Sequence, residues 1–116
     1  MSSPFEEITN LDRLVHEPAR LAILTALDAC RYADFMYLQS LTGLAKGNLS
    51  QHLAKLEAAG LISLERTFAR KVTKTVARLT PNGRSAIRAH WRRLEQTRKA
   101  ASGWSGQWRR ATARET

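Results

Sequence analysis

The first half of the chain carries apolar residues at the three- and four-residue spacing that is typical of helices. Leu11, Leu14 and Val15 predict a short helix, and Pro18 then opens a second helix over about residues 18–29. The apolar residues of the second helix cover a wide arc, which indicates a core helix that is packed on several sides. These residues are Leu21, Ile23, Leu24 and Leu27.

A third, short helix is predicted between Asp34, a suitable N-cap, and Gly43, a suitable stop. Only about four residues, 43–46, separate it from the next periodic segment, which reads KGNLSQHLAKLEAAGLI. A connection this short forces the two helices to cross at a steep angle. The pattern therefore predicts a helix-turn-helix.

The fourth helix of this pattern has one apolar face and one low, polar face. At 100° per residue, Leu49, Leu53 and Leu56 fall within about 60° of each other and are expected to face the core. The outward positions are Gly47, Gln51, Ala54, Lys55 and Ala58, with Asn48 and His52 on one shoulder and Ser50 and Glu57 on the other. Small residues keep the outward face low, and its amides and lysine make it rich in hydrogen-bond donors.

The segments LISLERT and VTKTVARLT are rich in apolar and β-branched residues and predict two strands. The segment FARK lies between them, and with Arg66 and Lys74 it makes a basic hairpin. This hairpin lacks the glycine or proline that usually marks such a turn.

A long last helix is predicted to start at Thr80 and Pro81, an N-cap followed by a first-turn proline. Its apolar stripe is narrow, and a long helix of this kind is expected to pair with another helix. The stripe consists of Ile87, Trp91, Leu94 and Ala101, interrupted by Arg98. Trp104 and Trp108 follow in a tail rich in Gly, Ser and Arg, and we assign them no role.

Composition and charge narrow the classes of protein. The 116 residues suit one domain, and 43% hydrophobic with 25% charged residues is ordinary for a folded chain. The net charge of +9 is unevenly placed, because residues 1–45 carry −3 and residues 46–116 carry +12. The positive field therefore begins at the fourth helix, where it would attract a polyanion.

The cysteine count and the apolar runs indicate the compartment of the protein. Cys30 is the only cysteine, so no internal disulfide is possible and a reducing compartment fits best. The longest apolar run, within residues 21–27, is far below the roughly 20 residues of a membrane span, and the amino terminus is acidic. We therefore expect a cytoplasmic protein with no membrane partner.

Catalysis and metal binding are also not expected. His16, His52 and His90 are scattered, and none has a His or Cys partner at helical spacing. Ser50 and His52 could suggest a nucleophile and its base, but residues two apart on a helix do not face each other. We predict no enzyme activity, no metal site and no cofactor.

The segments GLAKGNLSQHLAKLEAAGLISLER and ARLTPNGRSAI, on either side of the basic hairpin, resemble winged-helix transcriptional regulators related to the MarR and ArsR families. The likeness covers about residues 12–95 and is most specific in LSQHLAKLEAAGLI and LTPNG. It implies a mainly α fold with a small β-hairpin, a winged helix-turn-helix followed by a long C-terminal dimerisation helix. We expect residues 1–101 to form this domain and residues 102–116 to form a basic, flexible tail.

The resemblance also implies a recognition helix in the major groove, a hairpin wing on the flanking backbone or minor groove, and a homodimer. The recognition helix would contribute Lys46, Asn48, Ser50, Gln51, His52 and Lys55, the wing Arg66, Arg70, Lys71 and Lys74, and the dimer interface Ile87, Trp91 and Leu94. Amide side chains such as Gln51 and Asn48 offer the donor and acceptor pair that complements the edge of adenine.

The sequence departs from these families in two respects. It lacks the paired cysteines of ArsR-type metal sensors, which argues against that mode of sensing, and it lacks the wing-tip glycine common in MarR-type proteins, which predicts a different wing shape. We predict a homodimeric, sequence-specific regulator of double-stranded DNA that acts as a repressor. The alternative is a winged helix that binds protein or RNA, and a small-molecule effector is left open.

Overall fold

The computed structural model describes residues 3–104. These residues form helices and strands in the following order: α1 (Pro4–Thr9), α2 (Pro18–Cys30), β1 (Tyr32–Asp34), α3 (Phe35–Thr42), α4 (Lys46–Ala58), β2 (Ile62–Ala69), β3 (Val72–Leu79) and α5 (Pro81–Ser102). The predicted fold class is confirmed, with a sheet of three strands in place of a two-stranded hairpin.

The chain divides into two compact units. Within the described residues, the larger unit is 12–89, and the smaller unit combines residues 3–11 with residues 90–104. The helix α5 contributes its first part to the larger unit and its second part to the smaller one. None of the helices within residues 3–104 is long and apolar enough to cross a membrane.

The larger unit has one hydrophobic core, to which α2, α3, α4, the sheet and the start of α5 all contribute. The three leucines predicted to face inward from α4 are buried in it, as expected from their spacing. The core residues are Val15, Ile23, Leu24, Leu27, Ala33, Leu38, Leu49, Leu53, Leu56, Leu61, Ile62, Ala77, Leu79 and Ile87. This shared core fixes α4 and the sheet in one body.

The sheet is antiparallel, with β3 in the middle between β1 and β2. The β2–β3 register runs from Ile62 opposite Leu79 to Ala69 opposite Val72, which leaves a two-residue loop. The strand β1 was not predicted, because three residues between two helices are too few to show an alternating pattern.

The predicted helix boundaries around the helix-turn-helix are confirmed. The Asp34 carboxylate accepts a hydrogen bond from the Tyr37 backbone N–H at 2.8 Å, and Gly43 ends α3 in the left-handed conformation with φ of 69°. At the start of α5, the Thr80 hydroxyl accepts from the Gly83 N–H at 3.0 Å and donates to the Gly60 carbonyl at 2.6 Å. That one hydroxyl ties the last helix to the turn after α4.

The short helix predicted from Leu11, Leu14 and Val15 is wrong. The His16 N–H bonds to the Asp12 carbonyl at 2.7 Å, but this single turn is not continued. Pro18 has no N–H to offer the Leu14 carbonyl, which instead accepts from the Arg20 side chain at 2.7 Å. The helix lies earlier, at Pro4–Thr9, where the Ser3 hydroxyl accepts from the Glu6 N–H.

Candidate nucleic-acid interface

The outward face of α4 stands clear of the rest of the larger unit. Gln51, Lys55 and Asn48 are exposed, while the leucines on the other side of the helix are buried. The predicted assignment of inward and outward positions is therefore correct for these side chains. The exposed face offers two amides and an ammonium group, which are the donors and acceptors that can reach base edges.

An open groove of about 660 Å³ lies between α3, α4 and the wing, the hairpin formed by β2 and β3. It brings together four of the predicted site residues, Lys46 and Ser50 from α4 and Arg66 and Lys74 from the wing. The groove is also lined by two carboxylates, of which Asp34 is occupied as the cap of α3. The three cations exceed the two carboxylates by one charge, so the lining is positive overall and suits a phosphodiester strand.

The wing continues the buried face of the sheet out into solvent. Residues directly opposite in the β2–β3 register share a face, so Ile62 and Leu79 lie on the same side as Arg66 and Thr75 and as Phe68 and Thr73. The base of that face is buried and Phe68 near the tip is 73% exposed. Phe68 was predicted to lie between the two strands, whereas it lies within β2, paired with Thr73.

The wing tip is a two-residue loop, Arg70 and Lys71, with positive φ at both positions, 53° and 63°. Two positive φ angles are what a type I′ hairpin turn requires, and asparagine and glycine are the residues that usually supply them. A residue with a side chain pays about 1 kcal/mol or more in this conformation. The predicted difference in wing shape is therefore confined to the residues of the turn. The turn is tight, but two cations stand where asparagine or glycine is usual.

We expect the double substitution Arg70→Asn with Lys71→Gly to stabilise the fold and weaken binding to a polyanion. Relief of the backbone cost should add about 1 kcal/mol, or roughly 4 °C in midpoint, by thermal unfolding. Loss of two cations should reduce the slope of log K against log salt by up to about 1.8 for a duplex. The control Arg66→Asn removes a cation from a strand and should give no gain in stability. A lower unfolding midpoint for the double variant than for wild type would contradict the backbone strain at Arg70 and Lys71.

His52 lies on the shoulder of α4 that faces α2, and not on the outward face. Its Nδ1 is 3.2 Å from Arg20 Nη1 and 3.7 Å from a Glu17 carboxylate oxygen. Partial burial would by itself raise the pKa of Glu17, but hydrogen bonds from the Arg20 and Ala19 N–H groups, with the charges of His52 when protonated and of Arg20, hold that pKa below its ordinary value. The Nδ1 atom of His52 is therefore already in contact with two side chains of the same chain, those of Arg20 and Glu17.

Of the three predicted dimer-interface residues, Ile87 is corrected by the structure. Its side chain is 1% exposed in the core of the larger unit, so it is not available to a partner. The apolar stripe of α5 therefore changes role along its length. Trp91 is 45% exposed and Leu94 is partly buried, and both belong to the smaller unit.

The smaller unit exposes several large apolar side chains. Phe5 and Ile8 of α1 join Trp91 and Trp104 in this group, and the Phe5 and Trp104 rings meet edge to face at 5.8 Å. Phe5 and Ile8 were missed, although Ser3 and Glu6 form an S-x-x-E helix-start signal that encloses Phe5 and precedes Ile8. Trp108 and most of the predicted basic tail lie outside the described residues.

Within residues 3–104, His, Cys, Asp and Glu side chains form no group of three or more that could hold a metal ion. Cys30 has a free thiol.

Comparisons with known proteins agree with this architecture. Residues 19–97 match a family profile described as a winged helix DNA-binding domain. An uncharacterized protein of Methanocaldococcus jannaschii is 32% identical over 76 residues, which cover 66% of this chain and 83% of that protein.

Solved structures share the fold. A transcriptional regulator homologue from Pyrococcus horikoshii superposes with a TM-score of 0.75 at 27% identity, covering 83% of this chain and 94% of that one. A MarR-family transcriptional regulator from Silicibacter pomeroyi shares the fold with a TM-score of 0.61 at 22% identity, covering 97% of this chain and 75% of that one. The exposed face of α4, the wing and these matches lead to one conclusion: the chain belongs to the family of winged-helix DNA-binding transcriptional regulators.

Proposed function

We propose that this protein is a homodimeric repressor that binds double-stranded DNA in a sequence-specific way. In this proposal α4 enters the major groove and the wing contacts the flanking backbone or minor groove. The observation that carries the proposal is the uncovered face of α4, with Gln51, Lys55 and Asn48 exposed beside a groove lined by cations. A major groove about 12 Å wide admits one helix with such a face.

The residues divide into two tasks. Gln51 and Asn48 read base edges, because an amide can pair with adenine through one donor and one acceptor. The cations Lys46, Arg66 and Lys74 border the groove, where they hold the phosphodiester backbone, and Arg70 and Lys71 reach the flanking duplex from the wing tip. Lys55 donates a hydrogen bond to a guanine edge or to a phosphate.

The dimer forms through the smaller unit. Four large apolar side chains that remain exposed in the smaller unit support this step, since a second copy would cover them: Phe5, Ile8, Trp91 and Trp104. A two-fold dimer would place two copies of α4 about 34 Å apart, one turn of DNA, on a near-palindromic operator. Bound over a promoter, the dimer would obstruct polymerase. An effector, if one exists, would act by favouring one spacing of the two helices.

Two substitutions test the proposal once bound sites have been selected from genomic DNA. Gln51→Ala should lose about 1–3 kcal/mol of preference for the selected site over a scrambled duplex. Lys71→Ala should weaken both duplexes alike and reduce the slope of log K against log salt by about 0.9. Fluorescence anisotropy over a series of salt concentrations measures both quantities.

The same titration separates the alternatives. Uniform weakening by both variants would rule out sequence reading by α4. A wild-type protein that prefers single-stranded or A-form RNA would favour the RNA-binding alternative. A shallow salt slope with no duplex preference would favour docking to a protein.

A further inference from the structure

His52 is held in a small polar cluster between α4 and the start of α2. The cluster joins the imidazole to Arg20 and to Glu17, the N-cap of α2. The Arg20 side chain is only 11% exposed, and that of His52 20%. These side chains are therefore placed by packing, in contrast to the exposed residues of the α4 face.

Arg20 has a fixed orientation in this cluster. Its Nε donates to the Leu14 carbonyl at 2.7 Å, and Nη2 donates to the Arg13 carbonyl at 3.2 Å. The remaining guanidinium nitrogen, Nη1, is directed at Nδ1 of His52 at 3.2 Å. A guanidinium group stays protonated and can only donate, so Nδ1 of His52 must be the acceptor.

The acceptor role of Nδ1 decides where the imidazole proton is. In a neutral imidazole one nitrogen accepts and the other carries the hydrogen, so Nε2 of His52 is the donor. Among residues 3–104, the polar contacts of the His52 ring are made through Nδ1: the hydrogen bond from Arg20, and an approach of 3.7 Å to a Glu17 carboxylate oxygen that is too long for a hydrogen bond. Over the same residues no buried side-chain polar atom lacks a partner, so Nε2 opens to solvent.

We propose that His52 donates its Nε2 hydrogen to a phosphate oxygen of the DNA backbone, and that Arg20 is the positioning residue that fixes this tautomer. This inference rests on the proposed function. His52 follows Gln51 by one residue, about 100° around α4. With Gln51 facing base edges, the shoulder that carries His52 faces the wall of the major groove, which is made of phosphates. A hydrogen bond to that charged oxygen is stronger than one to a neutral group.

Glutamine and asparagine substitutions separate the two ring positions. A glutamine amide nitrogen reaches about as far as Nε2, whereas an asparagine amide reaches only the position of Nδ1. We expect His52→Gln to bind the selected duplex within about twofold of wild type, and His52→Asn to bind every duplex about tenfold more weakly. If His52 had only a structural role, His52→Asn, which keeps an acceptor near Arg20, should bind the duplex better than His52→Gln.

Replacing single phosphates of the duplex by neutral methylphosphonates identifies the phosphate that accepts the hydrogen bond from His52. Duplexes with a methylphosphonate at single positions should show one position per half-site at which wild type loses about tenfold and His52→Asn loses nothing further. Imidazole ¹⁵N spectra of the full chain should show the Nε2–H form in wild type and a mixture of tautomers in Arg20→Met. If Arg20→Met does not fold, the glutamine and asparagine pair still decides.

Equal affinities of the glutamine and asparagine variants, or the same methylphosphonate losses in wild type and His52→Asn, would overturn the inference. If wild type has no duplex preference and Gln51→Ala changes nothing, the proposed function itself fails and this inference fails with it. If wild type is selective, Gln51→Ala abolishes the preference and the His52 variants bind alike, only the inference fails.

Discussion

Replacing Gly83 with alanine is expected to destabilise the protein by about 3 kcal/mol or more, the upper end for overpacking. A Cβ at this position would lie 1.8 Å from the Leu61 carbonyl oxygen and 2.8 Å from the carbonyl carbon. Both are backbone atoms, and that oxygen accepts a hydrogen bond from the Thr80 N–H at 3.0 Å. Neither side can yield without moving the start of β2 away from α5.

Urea or thermal unfolding would measure this effect, and Gly47→Ala is the matched control. Gly47 also lies in a helix, but a Cβ there would meet nothing within 4 Å. The control should therefore gain about 0.5–1 kcal/mol from helix propensity. If Gly83→Ala were as stable as wild type, the close approach of α5 to residue 61 would be wrong.

Replacing Ile87 with alanine is expected to cost about 2–5 kcal/mol of folding stability, because the cavity would open in a closed core. The side chain is 1% exposed and packs in the core of the larger unit. We therefore expect the loss to appear in the unfolding free energy of the chain itself. The association constant of the proposed dimer should change much less when only folded protein is compared.

Trp91→Ala is the partner variant for this experiment. Because its side chain is 45% exposed, Trp91 is expected to contribute less to the fold than Ile87 and to contact the second copy in the proposed dimer. Sedimentation equilibrium should show weaker association for Trp91→Ala, with its monomer fold kept. The opposite pattern, with Ile87→Ala fully stable but monomeric, would restore the original assignment of Ile87 to the dimer interface.

The helices around the proposed DNA-binding face could be predicted because their local signals agree. Leucine spacing in α4, the Asp34 cap and the Gly43 stop all act within a few residues, and each is borne out. Local agreement of this kind also allowed the outward position of Gln51 and Lys55 to be inferred. Whether these side chains contact DNA is a prediction that the binding experiments above would test.

What escaped prediction depends on contacts distant in sequence. The role of Ile87 depends on how many turns of α5 lie over the core, which the spacing of an apolar stripe cannot tell. His52 turns toward α2 because Arg20, 32 residues earlier, presents a donor to it. The reason for the glycine in LTPNG is likewise a backbone carbonyl more than 20 residues before it.

The left-handed turn at Arg70 and Lys71 has a consequence for how this protein could change over generations. Asparagine or glycine at either position would make the chain harder to melt while removing a charge from the wing. Under selection for heat resistance alone, the wing tip should therefore change toward Asn-Gly, and the proposed contact of the wing with DNA should weaken. Retention of both cations under such selection would indicate that operator occupancy limits fitness.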